Sequence, residues 1–497
     1  MQEHDLIHSL LQQSVFLYPD KIALIQGKER VSYSELGRRA EQISQWLLYH
    51  EIKPGDRVAI LTDQACEYVA AYFGILTAGG IVIGLNTQTS NNSLSTVLAD
   101  SGTSIVLSHR RFQKYASVIN NQPSVCHFET NIRALWENED RPKQKTLPQM
   151  SPEDIGQIIY TSGTTGTPKG VMLTHRNILT NTLSTIEYLG LSEQDKIMVV
   201  LPFFYSYGNS ILLTHIAVGG TLVVNQSFLY PNVIIDQMKA EGVTGFSGVP
   251  STFALLLNRS AVRDYSFPHL RYLTQAGAAM SPALAGNLST VFPDVKIFIM
   301  YGQTEAAPRL SFLEPDRVVD KAGSIGKAIP GVTLEVCRPD GSATEVGEVG
   351  EIVATGENIM AGYWQQPQET AKILKNGKLW TGDLARVDEE GFLFIESRKS
   401  DMIKSGSHRI GPKEIEDAIM DFSYIHEVAV VGHEDEVLGE KIVAFSVVKD
   451  GCAVSEKELI RHCRRNLPAF KVPHEIVFQN ELPKTATGKI KKSELKK

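Results

Sequence analysis

Residues Tyr160 to Gly170 read YTSGTTGTPKG, a run in which Gly163, Gly166 and Gly170 alternate with hydroxyl side chains and one lysine, Lys169. Glycines let such a loop bend tightly, so backbone N–H groups and the hydroxyls of Thr161, Ser162, Thr164 and Thr165 can face a common centre. Phosphate oxygens suit that centre, and Lys169 adds a mobile positive charge. Ile158-Ile159 before the loop and Val171-Met172-Leu173 after it predict a strand on either side. A Walker A loop is excluded, because Gly170 rather than Ser or Thr follows the lysine. A flexible linker is the competing reading, and the flanking β-like runs argue against it.

Three further segments carry groups that can serve a nucleotide. YGQTE, Tyr301–Glu305, follows the apolar run Lys296–Met300. Acidic and hydroxyl groups just past a strand's C-terminal end are well placed for a ligand in an open α/β sheet. Glu305 can hold Mg2+, a hard cation that prefers oxygen ligands; a turn with a solvated carboxylate is the alternative. TGDLA, Thr381–Ala385, sets Asp383 among small residues, where it can accept hydrogen bonds from ribose hydroxyls or cap a helix. TATGKIKK, Thr485–Lys492, lies in a tail (471–497) with seven lysines against three glutamates. Lys491, Lys492, Lys496 and Lys497 read as solvated charge.

The elements that must position these groups follow from the apolar pattern. Strand-like runs at Val58–Leu61, Ile81–Leu85, Lys196–Leu201, Thr221–Asn225, Gly242–Gly248, Leu270–Gln275 and Lys296–Met300 alternate with helix-like stretches such as Glu67–Leu76. That alternation predicts an α/β fold of mixed or parallel sheets covered by helices. From Gly331 to Glu396 short β-like runs (Thr333–Cys337, Glu351–Ala354, Leu393–Ile395) are separated by turns, which predicts an antiparallel β subdomain. Beyond the polar stretch Ser397–Gly411, a helix at Pro412–Asp421 and β-like runs at Glu427–Gly432 and Lys441–Val448 predict a small α+β domain. The division is therefore 1–397 as a large N-terminal domain (with 331–396 antiparallel), 398–402 as a hinge, and 403–497 as a mobile lid.

A chain of 497 residues can hold two or three domains with large cores. Its net charge of −7 argues against a sequence-wide affinity for nucleic acid. Runs such as Ile81-Val82-Ile83 are too short to span a bilayer, and MQEHDLIHSLLQQ lacks the basic start of a signal peptide. Scattered cysteines (Cys66, Cys126, Cys337, Cys452, Cys463) suit a reducing cytoplasm rather than a disulfide or metal framework.

YTSGTTGTPKG resembles the phosphate loop of the adenylate-forming superfamily, which includes acyl-CoA synthetases, peptide-synthetase adenylation domains and firefly luciferase. YGQTE, TGDLA and TATGKIKK extend the resemblance from about Tyr33 to Lys489. It implies ATP-dependent activation of a carboxylic acid to an acyl-adenylate, then transfer to a thiol with release of AMP and pyrophosphate. The loop residues Thr161–Gly166 and Lys169 would then hold phosphates. Tyr301 would stack on adenine beside Gly302, Thr304 would meet the α-phosphate, and Glu305 would meet Mg2+. Asp383 and Arg398 would bind the ribose. Lys489 would reach the reacting carboxylate during adenylation, alongside Thr165 and Glu305 as the groups nearest the chemistry. AGAAMSP (Ala276–Pro282) resembles the segment lining the adenine pocket and acyl channel, through Gly277, Ala278 and Ala279.

LPFFYSYGNS (Leu201–Ser210) resembles the segment that gates the acyl pocket, with Tyr205 at the gate. Amino-acid-activating relatives carry an aspartate there, and a buried ammonium without an anion is strongly disfavoured. Tyr207, Phe246, Ser247, Gly248 and Val249 complete the expected pocket, which suits a fatty or aryl acid. Gly406, Ser407, His408 and Arg409 resemble the thiol side, with CoA favoured and the phosphopantetheine of an acyl or peptidyl carrier protein as the alternative. Ser407 and the hinge residue Ser400 depart from the usual pattern. A nucleotide-binding sensor that has lost catalysis is the alternative of another class.

Overall fold

The structure is a computed structural model. It describes residues 6–137, 145–162, 168–225, 228, 230–406, 408–449, 451–484 and 490–496. The side chains of Ser162 and Arg409 are outside that description.

Three sheets organise the described residues. The largest, of 14 strands, has a parallel core in which Ile22–Gln26, Thr221–Val224, Lys196–Val199, Gly245–Gly248, Tyr272–Gln275 and Lys296–Tyr301 lie side by side. It continues through antiparallel pairings of Ser311–Leu313 and Ser324–Ala328 into Leu393–Arg398, Lys378–Val387, Gly350–Gly356 and Val332–Cys337. The antiparallel strands expected after Gly331 therefore extend the first sheet instead of standing apart from it. The second sheet has parallel strands Ile81–Gly84, Arg57–Leu61, Ile105–Ser108 and His127–Glu129, and continues through Ile155–Ser162 and Pro168–Thr174, an antiparallel pair, to the edge strand Gly362–Tyr363.

Helix packing follows from composition. Ala65–Thr77 (ACEYVAAYFGILT) is almost wholly buried and mostly apolar, with Glu67 paired to Arg133, as suits a helix flanked by packed layers. Tyr33–Tyr49 shows one apolar face and is capped by Ser32, whose side chain accepts from the Glu35 N–H. Both helices feed one core with the strands of the two large sheets. The C-terminal residues build a third sheet from His408–Ile410, Ile403–Ser405, Gly439–Val448, Ile425–Asp435 and Glu475–Phe478, with its own apolar clusters. No helix among the described residues is long and apolar enough to cross a membrane.

Candidate active site

A cavity of about 980 Å³ opens where the parallel strands end. Val249 follows Gly245–Gly248, Gly277, Ala278 and Ala279 follow Tyr272–Gln275, and Gln303, Thr304 and Glu305 follow Lys296–Tyr301; all seven line it. This is the place where open α/β sheets bind ligands, because backbone and loop groups converge there. The second sheet contributes Ile159, Tyr160, Thr161 and Lys169, and the antiparallel strands contribute Thr381, Gly382 and Arg398. Lys413, Glu416, Asp417, Ile490 and Lys492 close it from the C-terminal side.

On the wall that holds Lys169, the glycine-rich run joins two antiparallel strands as expected, with Thr161 paired opposite Lys169. Gly163, Thr164, Thr165 and Gly166 lie outside the described residues. Lys169 Nζ is 2.6 Å from Glu369 and lies 5.1 Å over the Tyr363 ring. Lys169, and after it Lys372, hold the Glu369 carboxyl down at about 2. Tyr363 in turn donates its hydroxyl to Glu305 Oε1 at 2.7 Å, and burial, then Glu305, pushes that phenol up. Thr304 Oγ1 is 3.2 Å from Ser206 Oγ. Lys169, Thr304 and Glu305 thus share one wall of the cavity, with Glu369 and Tyr363 holding the two charged groups.

Beside the antiparallel strands, Asp383 and Arg398 are cross-strand partners, and Arg398 Nε donates to Asp383 Oδ1 at 2.8 Å. Asp383 is the main reason the guanidinium pKa is raised. The Tyr301 hydroxyl donates to the other oxygen, Oδ2, at 2.8 Å. Tyr301 is buried in the cluster beneath the antiparallel strands. Tyr301, Gly302 and Asp383, expected at the nucleotide, do not line the cavity; Thr304, Gly382 and Arg398 do. Gly382 has φ +77° and open space where a Cβ would be, which leaves the backbone approachable there.

Of the residues expected around an acyl group, Tyr205, Tyr207 and Val249 line the cavity. The Tyr205 hydroxyl accepts from Asn86 at 3.2 Å, and burial pushes its pKa up to about 12, so it stays a neutral phenol. Phe246, Ser247 and Gly248, expected in the pocket, do not line it. They occupy strand positions inside the sheet, where Phe246 packs against Phe228 and Phe253 and Ser247 Oγ bonds Thr274 Oγ1 at 2.6 Å.

Gly406 and His408 of the expected thiol side are also away from the cavity. They sit in a hairpin between Ile403–Ser405 and His408–Ile410, with the His408 ring stacked on Phe470 at 4.2 Å. Ser407 and Lys489 lie outside the described residues, as does the Arg409 side chain. Lys484 and Ile490 form an antiparallel bridge, and Ile490 reaches the cavity.

The family model described as "AMP-binding enzyme" matches residues 11–364, more than half the chain, and that of its C-terminal domain matches residues 414–489. The chain belongs to the AMP-binding enzyme family. Among its relatives in this family is a 2-succinylbenzoate–CoA ligase of Bacillus cytotoxicus, 33% identical over 98% of this chain and 97% of the relative. A long-chain-fatty-acid–CoA ligase of Bacillus subtilis is 31% identical over 97% of this chain and 93% of the relative. The o-succinylbenzoate CoA synthetase of Bacillus subtilis, solved with its acyl-adenylate, superposes with a TM-score of 0.88 at 30% identity over 98% of both chains. The same synthetase solved with ATP and magnesium ion gives 0.87.

Sequence reasoning missed Tyr363, Glu369 and Asn86. Tyr363 stands in Met360–Trp364, and its strand Gly362–Tyr363 pairs with Pro168–Thr174 next to the phosphate loop. Nothing local in the sequence signals that long-range pairing. Glu369 opens the short helix Pro367–Ile373 and reads there as an ordinary first-turn acid.

Proposed function

We propose that this chain is an ATP-dependent, AMP-forming acid–thiol ligase acting on a fatty or aryl acid, with CoA as the thiol. The observation that carries the reading is the convergence of Lys169, Thr304, Glu305 and Arg398 with Tyr205 and Tyr207 on one cavity. A carboxylate cannot acylate a thiol directly, because oxide is a poor leaving group. Attack of one carboxylate oxygen on the α-phosphorus of ATP expels pyrophosphate and makes AMP the leaving group for the thiol. Such a step depends on positioning and charge neutralisation rather than on a protein nucleophile.

In this reading Lys169 and the loop 161–166 hold the phosphates, Thr304 meets the α-phosphate, and Asp383 with Arg398 holds the ribose. Gly277–Ala279 border the adenine. Mg2+ fits Glu305: a carboxylate on the cavity wall beside the phosphate lysine is a suitable hard ligand, and phosphate and water oxygens would complete the shell. The ion would neutralise phosphate charge. Lys489, assigned by the resemblance, would bring the carboxylate to the α-phosphate. Residues 403–497 would rotate about 398–402 between the two steps, carrying Gly406, Ser407, His408 and Arg409 toward the thiol. Ser400, in the turn after Leu393–Arg398 and on the cavity wall, is suited to such a hinge. The exposed thiols Cys126 and Cys452 favour a reducing compartment such as the cytoplasm.

The test is acid-dependent exchange of labelled pyrophosphate into ATP across fatty, aryl and amino acids, with CoA and a carrier protein then compared as acceptors. Exchange with a fatty or aryl acid, lost by at least about a hundredfold in Lys489→Ala while ATP still binds, is the expected result. ATP binding with no exchange for any acid would favour a sensor that lacks catalysis.

A further inference from the structure

One aromatic ring on the acyl side of the cavity is held from two directions. Tyr207, near the start of the helix Ser206–Ala217, lines the cavity. Its hydroxyl reaches the strand behind, 2.9 Å from both the carbonyl and the hydroxyl oxygen of Thr274. Thr274 is the register partner of Ser247 and is bonded to it. The ring therefore stands between the cavity and the strand residues Phe246, Ser247 and Gly248, which would otherwise offer depth for a longer acyl group.

The ring's face is covered as well. The Arg309 guanidinium lies 4.2 Å from the ring centroid and the residue is only 3% exposed. Its Nε finds no hydrogen-bond partner, and it has no ion-pair partner among the described residues. The Tyr188 hydroxyl is its other polar neighbour. Its backbone is pinned, since the Arg309 carbonyl accepts from both Asn181 and Asn358 at 2.9 Å. A desolvated cation without a carboxylate is costly, and the π face of Tyr207, with the Tyr188 hydroxyl beside it, offsets that cost. Swinging the ring aside would strand the cation and break the bond to Thr274 together.

We propose that Arg309 fixes Tyr207 as the end wall of the acyl pocket and so restricts the enzyme to compact acids, a single aryl ring or a short chain, excluding long-chain fatty acids. The proposal rests on the ligase reading above and narrows its substrate. Arg309 acts through Tyr207 and is a positioning residue.

Pyrophosphate exchange with benzoate, butyrate, octanoate and palmitate tests it, using the full chain and Tyr207→Ala, Arg309→Met and Arg309→Lys. The unaltered protein should favour its best compact acid over palmitate by at least about a hundredfold in kcat/KM. Tyr207→Ala and Arg309→Met should shrink that ratio by about tenfold or more, chiefly through a lower KM for octanoate and palmitate. Arg309→Lys keeps a cation over the ring and should restore most of the discrimination. Equal use of palmitate by the unaltered protein, or an unchanged ratio in Tyr207→Ala, would overturn the proposal. Tyr207→Ala decides the matter even where Arg309→Met fails to fold. Absence of exchange with every acid in every variant would instead remove the ligase reading, and this proposal with it.

Discussion

Lys169 is paired with Glu369 at 2.6 Å, and a phosphate bound by Lys169 must compete with that carboxylate. Neither side chain is fully exposed, but Glu369 is open enough to solvent for the exchange to be cheap. Replacing Glu369 with Gln should therefore lower the KM for ATP about two- to fivefold in pyrophosphate exchange, with kcat little changed. A raised KM would mean that Glu369 holds Lys169 where phosphate needs it. At this scale the sequence was most informative where chemistry is written in consecutive residues. Lys169, Thr304, Glu305 and Arg398 were legible because each sits in or beside a short motif, and all four reach the cavity. Glu369, Tyr363 and Arg309 were not, because their roles come from contacts spanning many residues. Phe246 was misplaced for a related reason: an apolar residue at a strand's end can face the pocket or the core, and only packing decides.

Among the elements, Gly302 explains why the segment after Lys296–Tyr301 keeps a glycine. A Cβ on Gly302 would collide with the Pro308 carbonyl oxygen, a backbone atom that cannot move aside as a side-chain tip can. Gly302→Ala should push Thr304 and Glu305 off the cavity wall. The expected result is an exchange rate lower by at least about tenfold, with a lower Tm; an unchanged rate would show that the turn can relax. The parallel strands were legible because Ile81–Gly84, and Lys196–Val199 after its first residue, are continuously apolar, as strands covered on both faces must be. Lys378–Val387 was harder. Its burial alternates regularly, but the buried positions include the polar Thr381 and Asp383, so Asp383 read as a motif in isolation and not as part of a ten-residue strand facing Arg398. The hairpin around Gly406 was also hidden, since its strands are only three residues each.

The molecule as a whole places the cavity where elements of all three sheets meet, so no single sheet could build it. The α/β class followed from periodicity, but the continuity of the 14-stranded sheet did not, because it depends on the short strands Ser311–Leu313 and Ser324–Ala328. For the reaction proposed at this cavity, one oxygen of the acid must attack phosphorus and leave with AMP. The most direct measurement is a reaction with a carboxylic acid doubly labelled with heavy oxygen, ATP and CoA, followed by mass analysis of the nucleotide. AMP should carry one heavy oxygen, and the acyl thioester should retain the other. Unlabelled AMP, or ADP with a labelled inorganic phosphate, would contradict it.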